Sequence, residues 1–290
     1  MEIIPFDQRD GDIWMNGEFI PWASAKVHIL SHALHYASAV FEGNRAYGGK
    51  IFKLEKHTQR LIQSSKIMDF EIPFSEEEIN SACNATVKRN SIKDGYVRPI
   101  AWRGPEQMGV SAQGTKINLA IATWEWPNYY SSEDVMKGLR MDISKWQRPS
   151  AKSAPCHAKA AGLYMICTLS KHAAERAGYN DALMYDHEGN VAETTGANIF
   201  FIKDGEIHTP IPDSFLNGIT RRTVISLAEK NGVKVIERKI TPSELSDFSE
   251  CFITGTAVEV TPISEIKDFK FVVGNITKKL MRDYADLVRF

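Results

Sequence analysis

The run Pro155-Cys156-His157-Ala158-Lys159-Ala160-Ala161-Gly162-Leu163-Tyr164 sets one lysine between a loop of small residues and the start of an apolar helix. Burial disfavours the ammonium form, so an amine placed there gives up its proton easily. Such a lysine is a nucleophile able to form a Schiff base with an aldehyde. The same residues equally suit a lysine whose stem packs while its charge reaches water. The flanking segments decide between the two readings.

Working outward, a strand near 139–146 leads into the loop, and the helix after it runs to about 177. Strands follow at 182–185 and 191–202, joined across Asp186-His187-Glu188-Gly189-Asn190. A helix begins at about Ile219, a strand covers 233–238, Thr241-Pro242-Ser243-Glu244 caps a short helix, and 251–254 is a strand. Upstream, Ile13-Trp14-Met15 and Glu18-Phe19-Ile20 flank Asn16-Gly17, a two-residue hairpin turn. A second turn-punctuated pair lies within 41–52, and helices cover 55–68 and 75–90. The latter opens on Ser75-Glu76-Glu77-Glu78, a capping box with acids at the positive helix end. Strands at 96–102 and 116–124 follow, the second so apolar that it reads as central. Strands grouped with helices, without strict alternation, specify an α+β fold of two domains. We assign 1–124 to the first, 125–134 to an aromatic-bearing connector, and 135–290 to the second, which carries Lys159.

Downstream of the lysine stand three chemical features. Glu193 is the only acid between Asn190 and Asp204 and sits among small and apolar residues. A buried carboxylate needs a cationic partner. That partner is either a structural arginine or a protonated pyridine nitrogen, which a carboxylate would hold as a cation able to accept electrons. In Asn217-Gly218-Ile219-Thr220-Arg221-Arg222 a glycine precedes a periodic apolar run. The backbone N–H groups of such a helix start suit a phosphate, with the dipole adding about 0.3–2 kcal/mol. Thr254-Gly255-Thr256-Ala257 is a second turn able to hold an oxyanion. Neither turn matches a nucleotide-binding fingerprint. A Schiff-base lysine, an acid for a ring nitrogen and two oxyanion turns together specify pyridoxal 5'-phosphate.

With that cofactor in view, the chain resembles the fold type IV pyridoxal-phosphate enzymes, the class IV aminotransferases, and among them the bacterial branched-chain amino acid aminotransferases. The resemblance rests on Val40-Phe41-Glu42-Gly43, Gln59-Arg60-Leu61, Tyr96-Val97-Arg98-Pro99, Met108-Gly109-Val110, Ala158-Lys159-Ala160, Gly218-Ile219-Thr220-Arg221 and Gly255-Thr256-Ala257. It implies a smaller N-terminal domain and a larger C-terminal one with a mixed, barrel-like sheet. It implies that Lys159 carries the cofactor as an imine and later shuttles the proton. Tyr164 would bond the ring hydroxyl and Glu193 the ring nitrogen. Arg60, Gly218, Ile219, Thr220 and Thr256 would hold the phosphate. Tyr96 and the amides near Ala257 would take the substrate carboxylate. Tyr36, Phe41, Gly43, Trp126 and Tyr129 would shape an apolar pocket, and Arg98 would meet the distal carboxylate of glutamate. Arg98 also suits an ordinary ion pair. One departure stands out: the family often has glutamate where this chain has Ala197.

The reaction implied is reversible transfer of the amino group of leucine, isoleucine or valine to 2-oxoglutarate. Runners-up are a D-amino-acid or amine aminotransferase, an aminodeoxychorismate lyase and, outside catalysis, a cofactor-bearing scaffold. Composition excludes other classes. A formal net charge of -1 argues against nucleic acid or an anionic membrane as partner. No stretch approaches the roughly 20 apolar residues of a membrane span. Cys83, Cys156, Cys167 and Cys251 lack paired spacing and read as reduced thiols of a cytoplasmic protein. His32 and His35 are three apart but have no further ligands in sequence to complete a metal site. Cys156-His157 reads as packing or loop geometry, since sequence neighbours rarely form a catalytic pair. By resemblance the protein is a homodimer or higher homo-oligomer, with the loop at 108–110 reaching a neighbour's pocket.

Overall fold

A computed structural model describes residues 4–126 and 132–289, with backbone alone for 132–134. The chain divides into two compact units: Met1–Pro127 with Ala158–Gly162, and Asn128–His157 with Leu163–Phe290.

In the first unit β1 (Asp12–Met15) and β2 (Glu18–Pro21) form the expected hairpin. Asn16 and Gly17 take φ of 51° and 102°, the left-handed conformations that a type I′ turn requires. Then come α1 (His32–Tyr36), β3 (Ala39–Phe41), β4 (Asn44–Tyr47), β5 (Lys50–Ile51), α2 (Leu54–Ile67), α3 (Glu76–Arg89), β6 (Gly95–Arg103) and β7 (Ile117–Glu125). Among the described residues the sheet runs β2-β1-β7-β6-β4-β5, with β3 also pairing β6. The apolar β7 is central, as its composition predicts. Its Leu119 and Ile121 are buried in alternation, and α3 packs on this strand. The capping box of α3 is complete: Ser75 Oγ accepts the Glu78 N–H and Glu78 Oε2 accepts the Ser75 N–H. The lysine segment belongs to this unit because Ala160 bridges Val40, and the Phe41 N–H donates to the Lys159 carbonyl at 3.1 Å.

The second unit contains α4 (Ser132–Lys137), β8 (Leu139–Ile143), α5 (Met165–Arg176), β9 (Asp181–Tyr185), β10 (Val191–Thr194), β11 (Asn198–Lys203), β12 (Glu206–Thr209), α6 (Ile219–Lys230), β13 (Val235–Glu237), β14 (Glu250–Gly255), β15 (Glu259–Ile266), β16 (Phe269–Lys270) and α7 (Asn275–Val288). Six strands close on themselves in the order β10-β9-β8-β15-β14-β11, because β10 also pairs β11. This is the barrel-like sheet that the family resemblance implies. Leu139, Met141, Leu183, Ile199, Phe201, Cys251, Ile253 and Ile263 form one buried cluster, extended by Leu245, Phe248 and Phe271. Alternate residues serve another layer: Phe200 and Phe252 stack at 4.8 Å, with α6 and α7 packed on β14.

The single strand expected over 191–202 is two strands. A turn at Thr195-Gly196-Ala197 intervenes, with the Thr194 N–H donating to the Ala197 carbonyl at 2.8 Å. The strand near 139–146 stops at Ile143, and the one over 233–238 is confined to Val235–Glu237. Helix α7, absent from the sequence reading, buries Leu280, Tyr284 and Val288 at a spacing of four.

Candidate active site

Each unit presents its own set of the residues singled out in the sequence. In the first, Lys159 is held by its main chain. Its N–H donates to Ser64 Oγ on α2 at 3.0 Å, and its carbonyl accepts from Phe41 at the end of β3. The amine stands 4.9 Å from the centre of the Phe41 ring. Burial, then Arg60, pushes its pKa down to about 8; Glu42 and Tyr96 pull upward and Arg98 down. The shift brings the neutral form of this lysine closer to physiological pH, in the direction a nucleophile or general base requires.

Arg60, on α2, grips the carboxylate of Glu42 with two bonds, Nε to Oε1 at 2.6 Å and Nη2 to Oε2 at 2.9 Å. His57 Nδ1, one turn earlier on α2, meets the same Oε2 at 2.7 Å. Burial opposes charge on Glu42, but Arg60 and His57 overcome it and hold the carboxyl well below the usual range. Burial outweighs Glu42 at His57 and lowers the imidazole pKa.

Phe41, Tyr96, Arg98 and Trp126 come together. The Arg98 guanidinium lies 4.8 Å from the Phe41 ring and 5.1 Å from the Tyr96 ring, and Nη2 donates to the Tyr96 hydroxyl at 3.4 Å. Tyr96 in turn packs on Trp126 at 5.2 Å. Gly43 is dictated by this arrangement, since a Cβ there would fall 1.8 Å from the Tyr96 hydroxyl. Arg98 also lines an apolar cavity of about 380 Å³ with Ile13, Met15, Ile100, Trp102 and Ala161. Tyr36 sits on α1, 44% exposed, its ring stacked on His32. Tyr129 lies outside the described residues.

In the second unit Glu193 projects from β10. Its Oε1 lies 3.3 Å from Arg148 Nε, an ion pair whose alignment falls short of a hydrogen bond. Glu193 raises the Arg148 pKa against the effect of burial. Arg148 Nη1 also donates to the Leu163 carbonyl and Cys167 Sγ, beside Tyr164 at the N-cap of α5. Asn198 Nδ2 donates to Glu193 Oε2 at 3.3 Å, while its Oδ1 accepts the Gly218 N–H at 3.2 Å. Gly218 caps α6, so the amides of Ile219 and Thr220 fall in its first turn and lack acceptors within the helix. Thr256 and Ala257 occupy the β14–β15 turn, half-buried. Next to them the Thr254 hydroxyl is buried and unbonded, and Thr254 pairs directly with Asn198 across the strands. Ala197, buried in its turn, offers only its main chain to this region.

Four residues at these sites carried no role in the sequence reading: Glu42, His57, Arg148 and Asn198. Glu42 carried a usable signal, a lone acid beside apolar Val40 and Phe41. His57 and Arg60 are three apart, which puts them on one helix face. The histidine pair is explained without metal. His32 meets Ser38 Oγ and the Gly109 carbonyl, and His35 meets the Ile29 carbonyl. Among the described residues no group of three possible ligands could hold a metal ion. Burial raises the Cys156 pKa, and its thiol donates to the Pro149 carbonyl, a loop-packing contact.

A family model described as amino-transferase class IV matches residues 39–266. The branched-chain-amino-acid aminotransferase of Pseudomonas aeruginosa is 43% identical over 287 residues, 97% of this chain and 94% of that protein. The solved branched-chain aminotransferase of Thermoproteus uzoniensis with norvaline superposes with a TM-score of 0.92 at 36% identity, covering 97% of this chain and 95% of that one. The branched-chain amino acid aminotransferase of Thermobaculum terrenum, solved in its PLP-bound holo-form, gives a TM-score of 0.89 at 32% identity, covering 97% of this chain and 94% of that one.

Proposed function

The chain belongs to the class IV aminotransferases, and from that premise we propose that it moves the amino group of L-leucine, L-isoleucine or L-valine reversibly to 2-oxoglutarate, with pyridoxal 5'-phosphate as cofactor. The observation that carries this reading is Lys159: a basic amine with its pKa near 8, placed over the Phe41 ring and influenced by both Tyr96 and Arg98.

The residues present fit the cofactor. Glu193 is a carboxylate paired with Arg148 and steered by Asn198, the acceptor a protonated ring nitrogen needs. The orphaned Thr254 hydroxyl and the first-turn amides of α6 are donors suited to phosphate oxygens. Bound, the cofactor supplies an aldehyde for the amino group and a ring that withdraws electrons from the adjacent carbon.

Lys159 would hold the cofactor and, as a neutral amine, would take the proton from the donor's α-carbon and pass it to the cofactor's former aldehyde carbon. Glu193 keeps the ring nitrogen protonated, and Tyr164 bonds the ring hydroxyl. Arg60, Thr220, Thr256 and the amides of Ile219 and Thr220 bind the phosphate. Tyr96 and the amides at 256–257 orient the substrate carboxylate. Phe41, Trp126, Tyr36 and Tyr129 exclude water from the branched side chain, and Gly43 gives Tyr96 its place. Arg98 serves the second substrate by meeting the distal carboxylate of 2-oxoglutarate. We place the enzyme in the cytoplasm, in keeping with its four free cysteines, and no described helix is long and apolar enough to cross a membrane. It acts as a homo-oligomer in which the tip around Val110, 88% exposed, reaches a neighbouring copy.

The test is the absorbance of the cofactor-loaded enzyme on adding L-leucine or D-alanine. Bleaching by L-leucine, reversed by 2-oxoglutarate, is expected. Bleaching by D-alanine alone would return the D-amino-acid aminotransferase reading.

A further inference from the structure

Glu42 lies between β3 and β4, 1% exposed, and three side-chain donors converge on its carboxylate: Arg60 Nε, Arg60 Nη2 and His57 Nδ1. A carboxylate only accepts, so Nδ1 carries the imidazole proton. The main chain is equally fixed, with the Glu42 N–H donating to the Pro99 carbonyl at 2.8 Å and the Gly43 N–H reaching Oε2 at 3.3 Å. A guanidinium has five N–H donors, and Glu42 takes the two on its side-on edge. The end-on edge, Nη1 with the second hydrogen of Nη2, is the one that can grip a phosphate through two bonds.

We propose that Glu42, braced by His57, is a positioning residue for Arg60: it locks the side-on edge of the guanidinium and so directs the end-on edge at the cofactor phosphate. This rests on the reading of Arg60 as a phosphate ligand. A buried ion pair is a poor source of net stability, whereas direction is what a flexible arginine lacks. The adjoining residue, Phe41, bonds the Lys159 carbonyl, and Ser64 on the helix of Arg60 bonds its N–H. The end of β3 and the helix of Arg60 thus hold the main chain of Lys159 as well as the Glu42–Arg60 pair.

The test compares dissociation constants of the apoenzyme for pyridoxal 5'-phosphate and for pyridoxal, which lacks the phosphate. The variants are Glu42→Gln, Glu42→Asp, Arg60→Ala and the double variant Arg60→Ala with Glu42→Gln. Glu42→Asp keeps the buried charge while withdrawing it by one methylene, so the measurement survives if Glu42→Gln does not fold. Each Glu42 variant should weaken pyridoxal phosphate about tenfold, the scale of one charged hydrogen bond, and leave pyridoxal unchanged. In the Arg60→Ala background the Glu42 change should add no further loss. Equal weakening of both ligands, or additive losses, would mean a merely structural pair and overturn the proposal. If Arg60→Ala shifts the ratio of the two constants and the Glu42 variants do not, the positioning role alone falls. If Arg60→Ala leaves that ratio intact, the phosphate reading of Arg60 falls and takes the positioning role with it.

Discussion

Asn198 Oδ1 accepts the backbone N–H of Gly218 at 3.2 Å, joining strand β11 to the first turn of helix α6. The other end of the same amide donates to Glu193 and to the Leu216 carbonyl. One side chain therefore orients both the acid assigned to the ring nitrogen and the helix start assigned to the phosphate. A Cβ at position 218 would fall 2.3 Å from that oxygen, although the backbone there, with φ of -59°, would accept any residue. Gly218→Ala should displace Asn198 and weaken cofactor binding about tenfold, the scale of one charge-assisted hydrogen bond. Equilibrium titration of the apoenzyme checks this, and unchanged affinity would remove Asn198 from the account.

Lys159 reacts in its neutral form, so the pH dependence of cofactor capture has a definite sign. Its pKa, lowered to about 8 chiefly by burial, leaves the amine mostly protonated below that pH and mostly neutral above it. The rate at which apoenzyme takes up pyridoxal 5'-phosphate covalently should rise through pH 8 and level off beyond it. Arg60 is a cation that depresses this pKa, so Arg60→Ala should move the midpoint upward. Stopped-flow absorbance across pH reads both, and a downward movement would contradict the electrostatics.

Arg98 lies against Phe41 and Tyr96, with an apolar wall on one side and a hydroxyl on the other. Arg98→Met keeps the bulk and removes the charge. The kcat/KM for 2-oxoglutarate should fall by about 10–100-fold, since bonds to a charged group are worth about 1.5–3 kcal/mol. That for L-leucine should change far less. Equal losses for the two substrates would make Arg98 a structural cation.

Phe201 is fully buried in the barrel cluster and stacks on Phe248 at 4.8 Å. Phe201→Ala should cost about 3–5 kcal/mol from lost burial and the cavity left behind. Denaturant unfolding measures this, and a loss below about 1 kcal/mol would show that the cluster repacks around the gap.

Local signals are legible where the backbone itself requires a particular residue. Asn16-Gly17 supplies two left-handed residues, Ser75 and Glu78 satisfy amides within their own turn, and Gly218 precedes an apolar period. The turn at 195–197 was hidden because apolar residues continue on both sides and a lone glycine inside a strand pattern need not break it. The same limit applies to the site. Lys159, Glu193 and the start of α6 stood out by type and setting, while Arg148 and Asn198 look like ordinary polar residues of a loop and a strand.

The sequence alone determined the chemistry on offer: a lysine in small, apolar surroundings, lone acids that need cations, and helix starts with unbonded amides. Tertiary structure decided which groups answer those needs. Glu42 finds Arg60 and His57 on α2, and Glu193 finds Arg148 from before the lysine loop. It also packed the segment at 158–162 against β3, where burial and Arg60 bring the amine to about 8. The physical reason is that desolvation and charge act through space. A local stretch shows that a buried carboxylate must have a partner, but only the closed chain brings that partner within bonding distance.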